Sequence, residues 1–187
     1  MDDTTAREAV VNAADRLFYG RGIQAVGMDE IRAAAGISLK RMYALFASKE
    51  AILAEVLRRR NEQWTAGILQ AAHDVPTPND KLLSIFDFLS DWFAQDDFRG
   101  CAFINSFGEL GATAPLVADA ARAHKVGFQH YVAGLVSEAG APPSLAPQIA
   151  LLAEGAQTTA AISGSPEAAT DARSAAQTLL DAAQRTA

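Results

Sequence analysis

Apolar residues recur at helical spacing along nearly the whole chain, and no sustained period-two alternation of the kind a half-buried strand needs interrupts them. The pattern predicts an all-α protein. Val10, Ala14, Leu17 and Phe18 follow the i, i+4, i+7, i+8 pattern of one helix face behind Thr4 or Thr5 as helix cap, and Gly20 with Gly22 end this first segment. A short second helix runs from Met28 to Ala34, with Gly27 able to occupy its N-cap and Asp29 and Glu30 beside its positive end. Gly36 stops it. Ser38 caps a third helix reaching about Phe46. Ser48-Lys49-Glu50-Ala51 then opens a fourth, to about His73, with Ile52, Leu53, Val56, Leu57, Trp64 and Ile68 on one side. Further helices are expected at 79–95, 101–110, 115–139, 144–163 and 167–185, where Asp96-Asp97, Gly111, Gly140-Ala141-Pro142-Pro143 and Gly164-Ser165-Pro166 supply stop and restart chemistry. The total is about nine.

Composition narrows the class without naming it. At 187 residues and half hydrophobic, the chain can bury a real core, and no apolar run approaches the ~18 residues of a membrane span. The first residues carry neither the basic nor the apolar region of a secretory signal, so the expected location is the cytoplasm. A single cysteine, Cys101, makes no intrachain disulfide and reads as a small buried apolar residue, with a thiol sensor as the alternative. The net charge of −6 argues against a nucleic-acid partner until its distribution is considered. Residues 1–60 hold ten Lys and Arg against eight Asp and Glu, a net of +2, which leaves −8 for the remainder. With charges screened over ~8 Å, a basic edge feels its own neighbours more than a distant acidic region.

The segment from Met28 to Phe46 has helix-turn-helix logic. Ile31 and Ala35 face inward from the first helix, Gly36 supplies a turn tolerant of left-handed backbone, Ile37 plugs the space between helices, and Met42 with Phe46 covers the inner side of the second. Ser38, Leu39, Lys40, Arg41, Tyr43 and Ala44 are left for a groove, with hydroxyls and cations where a recognition helix meets DNA. The run Arg58-Arg59-Arg60 is also basic. It begins nine residues past Lys49, ~13 Å along a helix, and is expected to be a solvated face.

At this point the sequence resembles the tetracycline-repressor (TetR) family of regulators. The resemblance covers about residues 7–57 and rests on Ala13-Ala14, Leu17-Phe18, Gly22, the Ile31-to-Gly36 stretch, Ile37-Ser38, Met42-Tyr43, Phe46 and Ser48-Lys49-Glu50-Ala51-Ile52-Leu53. It implies a helix-turn-helix DNA-binding domain at 1–47, joined through the fourth helix to a helical ligand-binding and dimerisation domain at 48–187. It also implies that positions matching Ser38, Lys40, Tyr43 and Lys49 touch phosphates or base edges. Gly27 joins the DNA-facing candidates where the family often carries a hydroxyl, and Leu39-Lys40-Arg41 replaces a common Lys-Gly-Thr, so base preference is not transferable.

Past residue 60 the candidates are less specific. Trp64, Phe86, Phe93, Phe103, Phe107, Phe128 and Tyr131 are the expected lining of a pocket for a small, largely apolar ligand. The last two helices are rich in small residues and form the expected pairing surface of a homodimer, with Leu152, Ala156, Thr159, Ala176, Leu179, Leu180 and Ala183 as candidate interface positions. His124 and His130 lie six apart, off a common helical face, and no nucleophile elbow, phosphate loop or metal-binding motif is visible. No catalytic residue, metal or cofactor is expected. The expected function is a repressor released from a palindromic double-stranded DNA operator by its ligand. The alternatives are a small helical enzyme or carrier without DNA binding, and an architectural helical module.

Overall fold

The structure, a computed structural model, describes residues 2–185, and these form nine α-helices and no strand. They are α1 (Asp3–Arg21), α2 (Met28–Ala35), α3 (Leu39–Leu45), α4 (Lys49–Ala71), α5 (Pro78–Phe93), α6 (Ala102–Leu110), α7 (Pro115–Glu138), α8 (Leu145–Ser163) and α9 (Glu167–Arg185). Among the described residues no helix is long and apolar enough to cross a membrane.

The helix starts follow from local chemistry. Asp2, rather than Thr4 or Thr5, caps α1: its carboxylate accepts the Thr5 amide at 2.8 Å and the Thr5 hydroxyl at 3.2 Å. Both threonines already lie inside the first turn, so the residue before it is the one whose side chain reaches an orphan amide. Gly27 caps α2, and Glu30 reaches back to accept the Gly27 amide at 3.1 Å. Thr77 caps α5 by accepting the Asp80 amide, with Pro78 in the first helical position.

Two compact units result. Among the described residues, the first holds residues 2–62 together with Ala102–Arg122, and the second holds Gln63–Cys101 with residues 123–185. In the first, α1, α2 and α3 pack on one another, and Val10, Ala14, Ile31, Met42 and Ile52 are almost wholly removed from water. In the second, α5, α8 and α9 pack mutually around a core that includes Phe86, Leu89, Ile149, Ala153, Ala176 and Leu180, joined by Trp64 of α4 and Phe128 of α7. Each large side chain so buried contributes roughly 1.5–3 kcal/mol relative to exposure. Gly67 on α4 leaves room for a ring: a Cβ there would lie 2.5 Å from the edge of Phe88.

Candidate nucleic-acid interface

The turn between α2 and α3 is made by Gly36, at φ 68° and ψ 30°, whose amide donates to Ala33 while the Ile37 amide donates to Arg32. This is a left-handed helix stop, a conformation glycine adopts without steric cost. The chain leaves it extended through Ser38, whose hydroxyl accepts the Arg41 amide at 3.2 Å and starts α3. Met42 and Phe46 are buried on the inner side of α3, and Ile37 closes the space beneath. Leu39 is 41% exposed and Tyr43 50%, and Lys40 and Ala44 also face outward. A short helix with an apolar inner side and a mixed apolar, cationic and phenolic outer side is thus set on the surface of the first unit.

Two arginine contacts tie this helix to α1. Arg7 of α1 donates from Nη1 to the Leu45 carbonyl at 2.6 Å, and its guanidinium stands 4.3 Å over the Phe46 ring. The last carbonyls of a helix lack partners of their own, so a cation there satisfies one and complements the dipole. Arg41 pairs with Asp3 at 3.1 Å, an exposed contact that fixes its direction more than it stabilises the fold. Neither partner is visible in local sequence, because each lies 38 residues away along the chain.

Lys49 meets a competing partner. Its ammonium donates to the Ile23 carbonyl at 2.5 Å and lies 5.7 Å from the Phe18 ring, so the cation expected to reach a phosphate is engaged with the loop between α1 and α2. Gly27 is exposed at the start of α2. The run 58–60 is engaged as well, and is not merely solvated. Arg58 pairs with Glu55 at 2.5 Å and with Glu62, Arg59 donates to Asn12, and Arg60 pairs with Asp15 at 2.6 Å while stacking on Tyr19 at 3.9 Å.

The aromatic candidates divide between the units. Phe103 is buried and Phe107 half exposed in the first. In the second, Trp64 is surrounded edge-on by Phe88, Trp92, His124 and Phe128 at 5.5 to 5.8 Å between ring centres. Phe86 lies in the closed core and Phe93 packs on Phe98 at 4.7 Å. His124 is buried, and desolvation, aided by the neighbouring Lys125 charge, pushes its imidazole down to about 4. Burial pushes the Tyr131 phenol up. The indole N–H of Trp64, the Tyr131 hydroxyl and the side-chain oxygen of Gln157 are buried without a hydrogen-bond partner among the described residues.

The pairing candidates need correction. Ala156, Ala176 and Leu180 lie in the core of their own chain, because α8 and α9 turn these faces toward each other and toward α5. Leu152, Leu179 and Ala183 are half-buried against the same core, and only Thr159 is fully outward. The outward stripe of α8 is Leu151, Gly155, Thr158 and Ile162, with Leu151 69% and Ile162 83% exposed.

Known proteins place this arrangement. Residues 10–56 match the sequence profile of "Bacterial regulatory proteins, tetR family". The crystal structure of sav143 from Streptomyces avermitilis, described as "a putative tetr-transcriptional regulator", aligns with TM-score 0.84 and 30% identity over 96% of this chain and 98% of that one. SCO4454, a TetR-family regulator from Streptomyces coelicolor, shares the fold at TM-score 0.89 with 24% identity, over 96% of each chain. The HTH-type transcriptional activator FasR of Mycolicibacterium smegmatis is 32% identical over 98 residues, 52% of this chain and 44% of FasR. An HTH-type regulator of Mycobacterium tuberculosis is 35% identical over 78 residues, 42% of this chain, which therefore spans only 39% of that relative's length. With a helix-turn-helix matched to the family profile and 30% identity sustained over nearly the whole of a TetR regulator, the chain belongs to the TetR family, whose members are DNA-binding transcriptional regulators rather than enzymes.

Proposed function

We propose that the protein is a repressor that binds a palindromic operator as a homodimer and is released by a small, largely apolar ligand. The observation that carries this reading is α3: an inner side closed by Met42 and Phe46 and an outer side offering Leu39, Lys40 and Tyr43. In the major groove Leu39 suits a thymine methyl and Lys40 the acceptors of guanine, while Ser38, Tyr43, Arg41 and the exposed Gly27 face the backbone. Residues 1–47 act as the DNA-binding domain and 48–187 as the ligand-binding and dimerisation domain, and operator binding places the protein in the cytoplasm.

Pairing uses the outer faces of α8 and α9. The stripe through Leu151 and Ile162 offers large apolar groups, and Gly155 between them allows close approach. A two-fold dimer sets two recognition helices one DNA turn apart, ~34–36 Å, and its symmetry requires a matching inverted repeat. The ligand is held beside Trp64, Phe128 and Tyr131. Buried polar atoms without partners support this placement, since a ligand with one or two polar groups would satisfy them. Ligand binding lowers operator affinity by ~5- to 150-fold, the range of ordinary allosteric coupling.

Selection of bound duplexes from a randomised pool tests this reading. Inverted repeats recovered by the protein support it, and a pool without any enriched sequence refutes it. The likeness to FasR, which is named an activator, favours a second reading in which the same DNA-binding unit recruits transcription. A reporter driven by a promoter carrying the selected site separates them: the protein lowers expression if it represses and raises it if it activates.

A further inference from the structure

Between α1 and α2 the chain crosses Gly22-Ile23-Gln24-Ala25-Val26-Gly27, a stretch outside either helix whose backbone groups need partners from elsewhere. Two of its amides, those of Ile23 and Gln24, find them in one residue of α6. The Glu109 carboxylate accepts the Ile23 amide on Oε1 at 3.1 Å and the Gln24 amide on Oε2 at 3.0 Å. The Gln24 side-chain amide in turn donates to the Glu109 carbonyl at 3.0 Å. From α4, the Lys49 ammonium donates to the Ile23 carbonyl. Gly22, at φ 86°, makes the close approach possible: a Cβ there would stand 3.2 Å from both carboxylate oxygens. Ile23 and Val26, the apolar pegs of this turn, are buried.

Three hydrogen bonds from one side and a cation from the other are more than a surface loop ordinarily receives. A carboxylate accepting backbone amides makes charge-assisted bonds, roughly twice as strong as neutral ones. Their target lies 85 and 86 residues earlier in sequence, directly before the helix-turn-helix. α2 begins at Met28, two residues past the Val26 peg, and α2 packs on α3, so a displaced turn alters the platform from which α3 projects.

We propose that Glu109 is a positioning residue for DNA recognition: its carboxylate clasps the turn between α1 and α2 and holds α2 and α3 in the orientation that binds the duplex. This inference rests on α3 being the DNA-contacting helix. Glu109 touches no DNA itself. Glu109→Ala leaves the Ile23 and Gln24 amides to water, and Glu109→Gln keeps one carbonyl oxygen and thus one of the two bonds.

Hydrogen exchange and binding on the full chain, free and with a duplex selected by the unaltered protein, test the clasp. In the free protein Glu109→Ala speeds exchange at Ile23 and Gln24 by about 10- to 100-fold, the loss expected for charged hydrogen bonds, and leaves Val10 and Val11 within α1 unchanged. It weakens duplex binding by about tenfold or more, with Glu109→Gln between it and the unaltered protein. By linkage, duplex binding slows exchange at Ile23 and Gln24 in the unaltered protein and loses that effect in Glu109→Ala, which a role in stability alone would not produce. Should Glu109→Ala fail to fold, Glu109→Gln carries the same test in the same direction. The clasp is overturned if exchange at the two amides is unaffected, or if duplex binding is unaffected while Lys40→Ala weakens it. If neither substitution alters binding, the assignment of α3 fails together with the clasp.

Discussion

Gly36 and His124 show how single residues set the behaviour of this chain. Gly36 holds left-handed backbone with open space around it, so a methyl group there meets no neighbour and the cost of substitution is backbone strain alone. Left-handed geometry costs an L-residue about 1–2 kcal/mol, and Gly36→Ala lowers the free energy of unfolding by that amount in urea titrations. His124 titrates at about 4 in the folded protein against 6.5 as a free group. Between those values the unfolded chain takes up a proton that the folded protein refuses, so stability falls as pH drops from 6.5 toward 4 and levels off below. The loss is at most about 3 kcal/mol, and His124→Gln flattens the curve in melts run across that range. Residue identity was legible where its reason is local. Ser38 caps the helix that follows it, and Met42 and Phe46, one turn apart, share the buried side of α3. Lys49 was not legible in the same way, because a cation opening a helix suits a phosphate equally well and its carbonyl partner lies 26 residues upstream.

At the scale of the element, α3 is too short to hold itself and depends on its ends. Ser38 satisfies the first turn and Arg7 the last. Isolated helices of one or two turns are unstable in water, so removing a brace loosens the whole outer face of α3. Arg7→Met keeps much of the packing on Phe46 and deletes the bond to Leu45; it should reduce stability by about 1 kcal/mol and weaken duplex binding a few-fold in fluorescence anisotropy titrations. In α5 the demand is packing. Phe86 is wholly buried, and Phe86→Ala is expected to cost about 3–5 kcal/mol in chemical denaturation. Helix existence was readable throughout, and so were most limits, since prolines, glycines and caps bracket the apolar periods; the start of α1 was not, because Asp2, Thr4 and Thr5 all offer cap oxygens within a few residues. The facing of α8 and α9 was not. Alanines lie on most sides of both helices, so the period of small residues does not say which side meets the neighbouring helix. Ala156, Ala176 and Leu180 went to the interior, and Leu151 and Ile162 mark the outside.

At the scale of the whole molecule, the proposed homodimer would pair the α3-bearing unit of one chain with that of a second copy. A large apolar group 83% exposed, as Ile162 is, is costly to leave in water when another lies three turns away on the same stripe. Leu151→Arg combined with Ile162→Arg should convert the protein to a monomer in sedimentation analysis and reduce duplex affinity at least about tenfold, because each half-site contact then binds without its partner. The division of charge fits the same picture. The net of +2 over residues 1–60 suits a polyanion, and the −8 over the rest keeps the remainder from binding DNA indiscriminately. The most direct test of the central claim is an NMR titration of the methyl- and ring-labelled protein with a selected duplex. The signals of Leu39, Tyr43 and Ala44 should shift together while those of Leu151 and Ile162 stay in place; perturbations that spare α3 and appear elsewhere on the chain would contradict the assignment of α3 as the helix that reads DNA.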